Sequence, residues 1–230
     1  MEIISSVFTP GNVRYFLTGL EATLQFAMLS ILFSFVLGTV LALVINYAPK
    51  LLGYPAMLFV ELYRNTPLLL WVLFGRFGVA KAFRLDSYMA VLVMFVFFFG
   101  AIVCETMRSG LNAINKGQFE AAASQGFSFA GMLRYILVPQ AIKLVMPQLL
   151  STLITIIKDT SFLSVISIAE LMYQGRAVMA QYVSVSEKIV CYGIIIAIYF
   201  TINFSLSLLV RHLSNKQKSR KPVGTSLKLG

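Results

Sequence analysis

A chain of 230 residues that is 58% hydrophobic and 12% charged carries about half the charge of an ordinary soluble domain. Its apolar residues stand in long runs, which excludes a water-soluble globule and makes a bilayer the implied solvent. The net charge of +10 comes from Lys and Arg spread between those runs rather than striped along one polar element, which argues against nucleic acid.

In chain order, the first apolar run starts too late and is too long for a cleaved signal peptide, so it reads as a retained span at 22–46. Tyr54 to Phe74 is apolar apart from Glu61 and Arg64 and reads as a second span, 54–74. The charge-free stretch 87–104 supports a third span at 87–107. The run from Leu144 to Ala169, interrupted only by Lys158 and Asp159, supports a fourth at 137–160, which Pro139 starts or kinks. Residues 189–210 make the fifth. Residues 1–213 therefore read as one all-α, polytopic membrane domain of about five transmembrane helices. Residues 214–230, polar and basic, read as a disordered tail.

An odd number of spans puts the termini on opposite sides of the membrane. Arg211, Lys216, Lys218, Arg220, Lys221 and Lys228 follow the last span with no acid among them, whereas Arg14 is the only base in residues 1–21. The excess of bases inside predicts a cytoplasmic C-terminus and an external N-terminus, although Arg76, Lys81 and Arg84 run against the rule. No phosphate-binding loop, dinucleotide fingerprint or metal-binding pattern is present, and the one histidine, His212, flanks the last span. Cys104 and Cys191 lie in apolar segments without ligand spacing and read as small buried residues. Energy-dependent work would need nucleotide chemistry from another subunit.

The loop at 117–134 contains a short helix by its own chemistry. Glu120 complements the positive end of the helix dipole, Ala121 to Ala123 are strong helix formers, and Gly126 is a natural stop. Three alanines make the helix slim enough to enter a groove on another protein, with Phe127, Phe129 and Met132 as apolar anchors. A plain amphipathic loop lying in the lipid interface fits the same composition.

Glu120-Ala121-Ala122, three residues, Gly126, nine residues, then Ile136-Leu137-Val138-Pro139 resembles the "EAA" signature of the permease subunits of bacterial ATP-binding cassette (ABC) importers. Val138 is the one, conservative, departure. Glu61-Leu62-Tyr63-Arg64-Asn65-Thr66-Pro67-Leu68-Leu69 resembles a segment of the polar amino acid permeases, as does Lys158-Asp159-Thr160-Ser161-Phe162, with Phe162 in place of Leu. The likeness runs from the first span to about residue 210. It implies the type I importer permease fold, residence in the bacterial inner membrane and no enzymatic activity in this chain. It further implies that Glu120, Ala121, Ala122, Gly126 and Phe127 form a coupling helix seated on a cytoplasmic ATPase, present in two copies, that binds ATP and Mg. A second permease copy or paralogue and an extracytoplasmic amino acid-binding protein complete the expected assembly.

Ionisable residues at membrane depth are costly unless they face a partner or a wet cavity. An amino acid zwitterion needs an anion for its ammonium and a cation or donors for its carboxylate. Candidate substrate-binding residues are Glu61, Arg64, Asn65, Thr66, Asp159, Thr160 and Ser161: Asp159 suits the first task, and Arg64 with Asn65, Thr66, Thr160 and Ser161 suits the second. Pro67 would free backbone groups beside Arg64 to line a cavity. Two structural readings compete: Glu61 and Arg64, three residues apart, can pair on one helical face, and Lys158 with Asp159 can order an external loop. The expected function is alternating-access import of a polar amino acid, against a carrier or channel driven by an ion gradient and a non-transporting scaffold.

Overall fold

The computed structural model describes residues 6–219, and among these there is no strand. Eight helices follow in order: α1 (Pro10–Tyr47), α2 (Lys50–Arg64), α3 (Leu68–Ala82), α4 (Ser87–Asn112), α5 (Lys116–Ser124), α6 (Phe129–Ile166), α7 (Leu171–Met179) and α8 (Val185–Ser219). Four of them, α1, α4, α6 and α8, are long and apolar enough to cross a bilayer. α2 and α3 qualify only together, as one broken element bent by 102°.

Local chemistry explains the boundaries. α1 starts well before residue 22 because Thr9 accepts a hydrogen bond from the Asn12 N–H (3.2 Å) and Pro10 occupies the first turn, where its missing N–H costs nothing. α6 likewise starts at Phe129, capped by Ser128, so Pro139 lies inside a helical run instead of opening it. The wider π turn at Leu133–Leu137, one residue ahead of Pro139, absorbs the irregularity that proline imposes. The segment 54–74, expected as one span, is interrupted at Asn65–Pro67, because Pro67 is extended and cannot donate to the preceding turn. The last helix continues to Ser219, so 214–219 are helical rather than disordered: Lys and Gln extend a helix readily and no Gly or Pro stops it there. The remainder of the tail, 220–230, lies outside the described residues.

α4 is the hub. It is the most buried of the long helices and packs on α1, α2, α3 and α6, while α8 is the least buried. Its closest neighbour is α1, whose buried small residues Ser30, Ser34, Gly38 and Ala42 recur every fourth position and let the two backbones approach. A Cβ on Gly38 would lie 2.6 Å from the carbonyl oxygen of Gly100 on α4, so no larger residue fits without separating the helices. Tyr47, at the end of α1, makes ring contacts with Phe119 of α5 and with Phe129 at the start of α6, at centroid distances of 6.4 and 5.6 Å. The ends of α1 and α4, the start of α6 and all of α5 therefore share one side of the bundle, called the loop side below.

Candidate functional site

The break between α2 and α3 carries a polar cluster. Arg64 Nη1 lies 3.6 Å from Glu61 Oε1 and 3.8 Å from Glu105 Oε2 on α4. Glu105 also pairs with Arg108, whose Nε donates to Asn46 Oδ1 at 3.2 Å, and the Asn46 amide donates to Asn112 Oδ1 at 3.1 Å. Glu61 and Arg64 thus do share a helical face, but their pairing is one half of a four-charge cluster. Its other half, Glu105, Arg108 and the two asparagines, was absent from the sequence-based candidates. The missed signal is the spacing: Glu105 and Arg108 repeat the three-residue interval of Glu61 and Arg64.

The groups flanking the break are already engaged. The Asn65 amide donates to the Glu61 carbonyl and to Glu61 Oε2, both at 2.8 Å. The Thr66 hydroxyl donates to the Leu62 carbonyl and accepts from the Trp71 indole, both at 2.7 Å. Backbone acceptors at the end of α2 are therefore filled by the side chains that follow it and do not open onto a cavity. Arg64 differs: its two carboxylate contacts exceed hydrogen-bond length, so its N–H donors are not spent on them.

The second candidate segment closes α6. Asp159 ends the regular helix, and Thr160–Ile166 continues as a 3₁₀ turn. Thr160 is fully buried with its hydroxyl bonded to the Ile157 carbonyl at 2.8 Å, and the Ser161 carbonyl accepts from Ser164. Asp159 is half-buried and has no ion-pair or hydrogen-bond partner among the described residues. α3 begins directly after the break and packs its Leu68 and Val72 in one apolar cluster with Leu163 and Ile166 of the 3₁₀ turn. The two polar segments are thereby neighbours through one helix. Beyond them, buried Glu170 caps α7, accepting from Met172 and Tyr173 N–H and from the Tyr199 hydroxyl at 3.0 Å, which fastens α7 to α8.

On the loop side, Asn115 caps α5 by accepting from Gly117 N–H at 2.8 Å. The helix stops in a left-handed residue, Gly126, with φ of 79°. Phe127 N–H bonds back to the Ala122 carbonyl and Gly126 N–H to that of Ala123, the paired closure that a glycine in this conformation permits. Glu120, Ala121, Ala123, Gly126 and Phe127 are exposed. Ala122 and Met132 are buried in the chain's own core, so neither is free to enter another protein, and Phe129 is partly engaged by Tyr47. α5 is thus held to the bundle on one face and open on the other.

The sequence model of the family described as "Binding-protein-dependent transport system inner membrane component" matches residues 7–219. The probable glutamine ABC transporter permease protein GlnP of Bacillus subtilis (strain 168) is 34% identical, covering 94% of this chain and all of the relative. The arginine transport system permease protein ArtQ of the same strain is 30% identical over 92% of this chain and 96% of its own length. A chain in the crystal structure of an amino acid ABC transporter with histidines superposes with a TM-score of 0.76 at 29% identity, covering 89% of this chain and 94% of that one. A chain of the MetNI methionine ABC transporter in an inward-facing conformation shares the fold at a TM-score of 0.71 and 18% identity, covering 90% of this chain and 99% of that one.

Proposed function

The chain belongs to the family of binding-protein-dependent transport system inner membrane components, as a multi-pass ABC importer permease of the polar amino acid type, and from that premise we propose that it moves a polar amino acid by alternating access driven by a separate ATPase. Glutamine and arginine, which the relatives' names carry, are the first substrates to test. The assembly we envisage has two ATPase subunits that bind ATP and Mg, a second permease copy or paralogue, and an external amino acid-binding protein. The C-terminus and the loop side face the cytoplasm, and the N-terminus faces out.

The observation that carries this reading is the two-faced anchoring of α5. Glu120 and Ala121 are offered outward, while Ala122 and Phe119 are fixed to the bundle, so a push on the outer face is transmitted to α1 and α6 through Tyr47 and Phe129. For the substrate, Arg64 is suited to the carboxylate and Asp159 to the ammonium, because each retains unspent bonding capacity. Asn65, Thr66, Thr160 and Ser161 shape the site, and Glu61 holds Asn65 and Arg64.

The test is uptake into proteoliposomes holding the permease, its co-purifying ATPase and the binding protein. Glu120→Arg and Gly126→Val are expected to cut ATP-dependent uptake about tenfold or more, within the range typical of allosteric coupling, while membrane insertion stays normal. Unaltered uptake in both variants, or uptake that continues without ATP, would overturn the mechanism; the latter would indicate an ion-gradient carrier.

A further inference from the structure

The two Glu-x-x-Arg turns lie side by side, Glu61–Arg64 at the end of α2 and Glu105–Arg108 on α4, and Glu105 is the carboxylate that both arginines share. Their two positive and two negative charges sum to zero, and the two arginines differ in how tightly each is held. Arg108 is held tightly, by Glu105 and by Asn46 Oδ1 at 3.2 Å. Arg64 is held loosely, at 3.6 and 3.8 Å. From Arg108 the contacts continue through Asn46 to Asn112, the last residue of α4, and three residues later Asn115 caps α5. A line of polar contacts therefore runs from the α2–α3 break to Asn112, three residues along the chain from the cap of α5.

We propose that Glu105 is a positioning residue that ties the state of Arg64 to α5. Two cations beside one carboxylate repel each other, so each is held less firmly than it would be alone. When the amino acid's carboxylate draws Arg64 away, Glu105 is left wholly to Arg108, and the Arg108–Asn46–Asn112 line tightens on the end of α4. When α5 moves with the ATPase, the same line loosens or restores the hold on Arg64. Such coupling is reciprocal, and the element with two arrangements is the Glu105 carboxylate with either one or two arginines. This inference rests on the reading above, that Arg64 meets substrate and that α5 meets an ATPase.

The experiment uses the reconstituted importer with its ATPase and binding protein, and an equimolar mixture of the protein amino acids as probe. Two quantities are read: the ratio of ATP hydrolysis with and without loaded binding protein, and the KM of uptake. Glu105→Gln is expected to lower the ratio about fivefold or more, the lower bound of typical allosteric couplings. Asn46→Ala and Asn112→Ala, which lie on the Arg108 side of Glu105, are expected to lower the ratio about threefold, a smaller share of the same coupling, while leaving KM within about twofold. The Glu105→Gln/Asn46→Ala double variant should be no worse than Glu105→Gln alone, because both cut one line. Should Glu105→Gln fail to assemble, the two asparagine variants decide. A ratio unchanged in the assembled variants, or losses that simply multiply, overturns the relay while leaving the importer intact. A wild-type assembly without ATP-dependent uptake would remove the transport reading and the relay with it.

Discussion

At the scale of single residues, the decisive property of Arg64 is what it is not doing. Its neighbours Asn65 and Thr66 spend their donors on the end of α2, so of the polar groups at the break the guanidinium is the one with capacity for a ligand carboxylate. A charge-assisted hydrogen bond to such a ligand contributes about 1.5–3 kcal/mol, so Arg64→Gln should raise the KM of uptake roughly 10- to 150-fold with a much smaller change in kcat. Arg64→Lys should recover only part of this, since an ammonium cannot offer the same two-pronged fork. Equal KM values for wild type and Arg64→Gln would move the carboxylate site elsewhere. The sequence made Glu61, Arg64 and Asp159 visible because charge is conspicuous in an apolar run. Glu105 and Arg108 were hidden at the edge of a span, where charge is expected, and only their shared spacing with Glu61 and Arg64 distinguished them. Which face of α5 Ala122 occupied was not legible either, because three consecutive alanines carry no amphipathic signal.

At the scale of elements, two glycines set geometry, one by close approach and one by backbone conformation. Gly38→Ala places a methyl group against the Gly100 carbonyl, and overpacking of this kind costs about 1–3 kcal/mol. The purified variant should therefore lose several degrees of melting temperature in detergent, and an unchanged melting curve would mean that α1 and α4 separate freely. Gly126 needs its left-handed φ of 79° but has no atom within 4 Å of a Cβ, so its constraint is the backbone alone. Gly126→Asn should then retain most uptake, since asparagine visits this conformation, whereas Gly126→Val should not; the left-handed penalty is about 1–2 kcal/mol per residue. Equal uptake by the two would show that the turn is not the constraint. Five apolar runs could be read from composition because hydrocarbon thickness fixes their length. The break at Asn65–Pro67 and the early start of α6 could not, because both depend on caps and a π turn that leave the mean hydropathy of the run unchanged.

For the whole molecule, the remaining question is which side of the membrane the loop side faces, and the fold restricts the answer. α8 runs in the same direction as α1: Ile194 and Ile198 line a cleft with Val13 and Leu17, whereas Leu206 lines one with Met28 and Ile31. The end of α8 therefore lies on the loop side, together with Lys50, Lys116 and Arg134, and Arg76, Lys81 and Arg84 lie on the opposite side. Bases on both sides weaken a charge count, but the cluster after Arg211 is the larger, and cationic segments are retained in the cytoplasm. Labelling tests this without removing any native cysteine, because Cys104 and Cys191 are buried. On intact cells a membrane-impermeant maleimide should modify Val183→Cys, in the highly exposed turn before α8, and should reach Ala130→Cys, beside α5, only after permeabilisation. The opposite pattern would place α5 outside the cell, beyond the reach of any cytoplasmic ATPase, and the coupling mechanism would fall with the orientation.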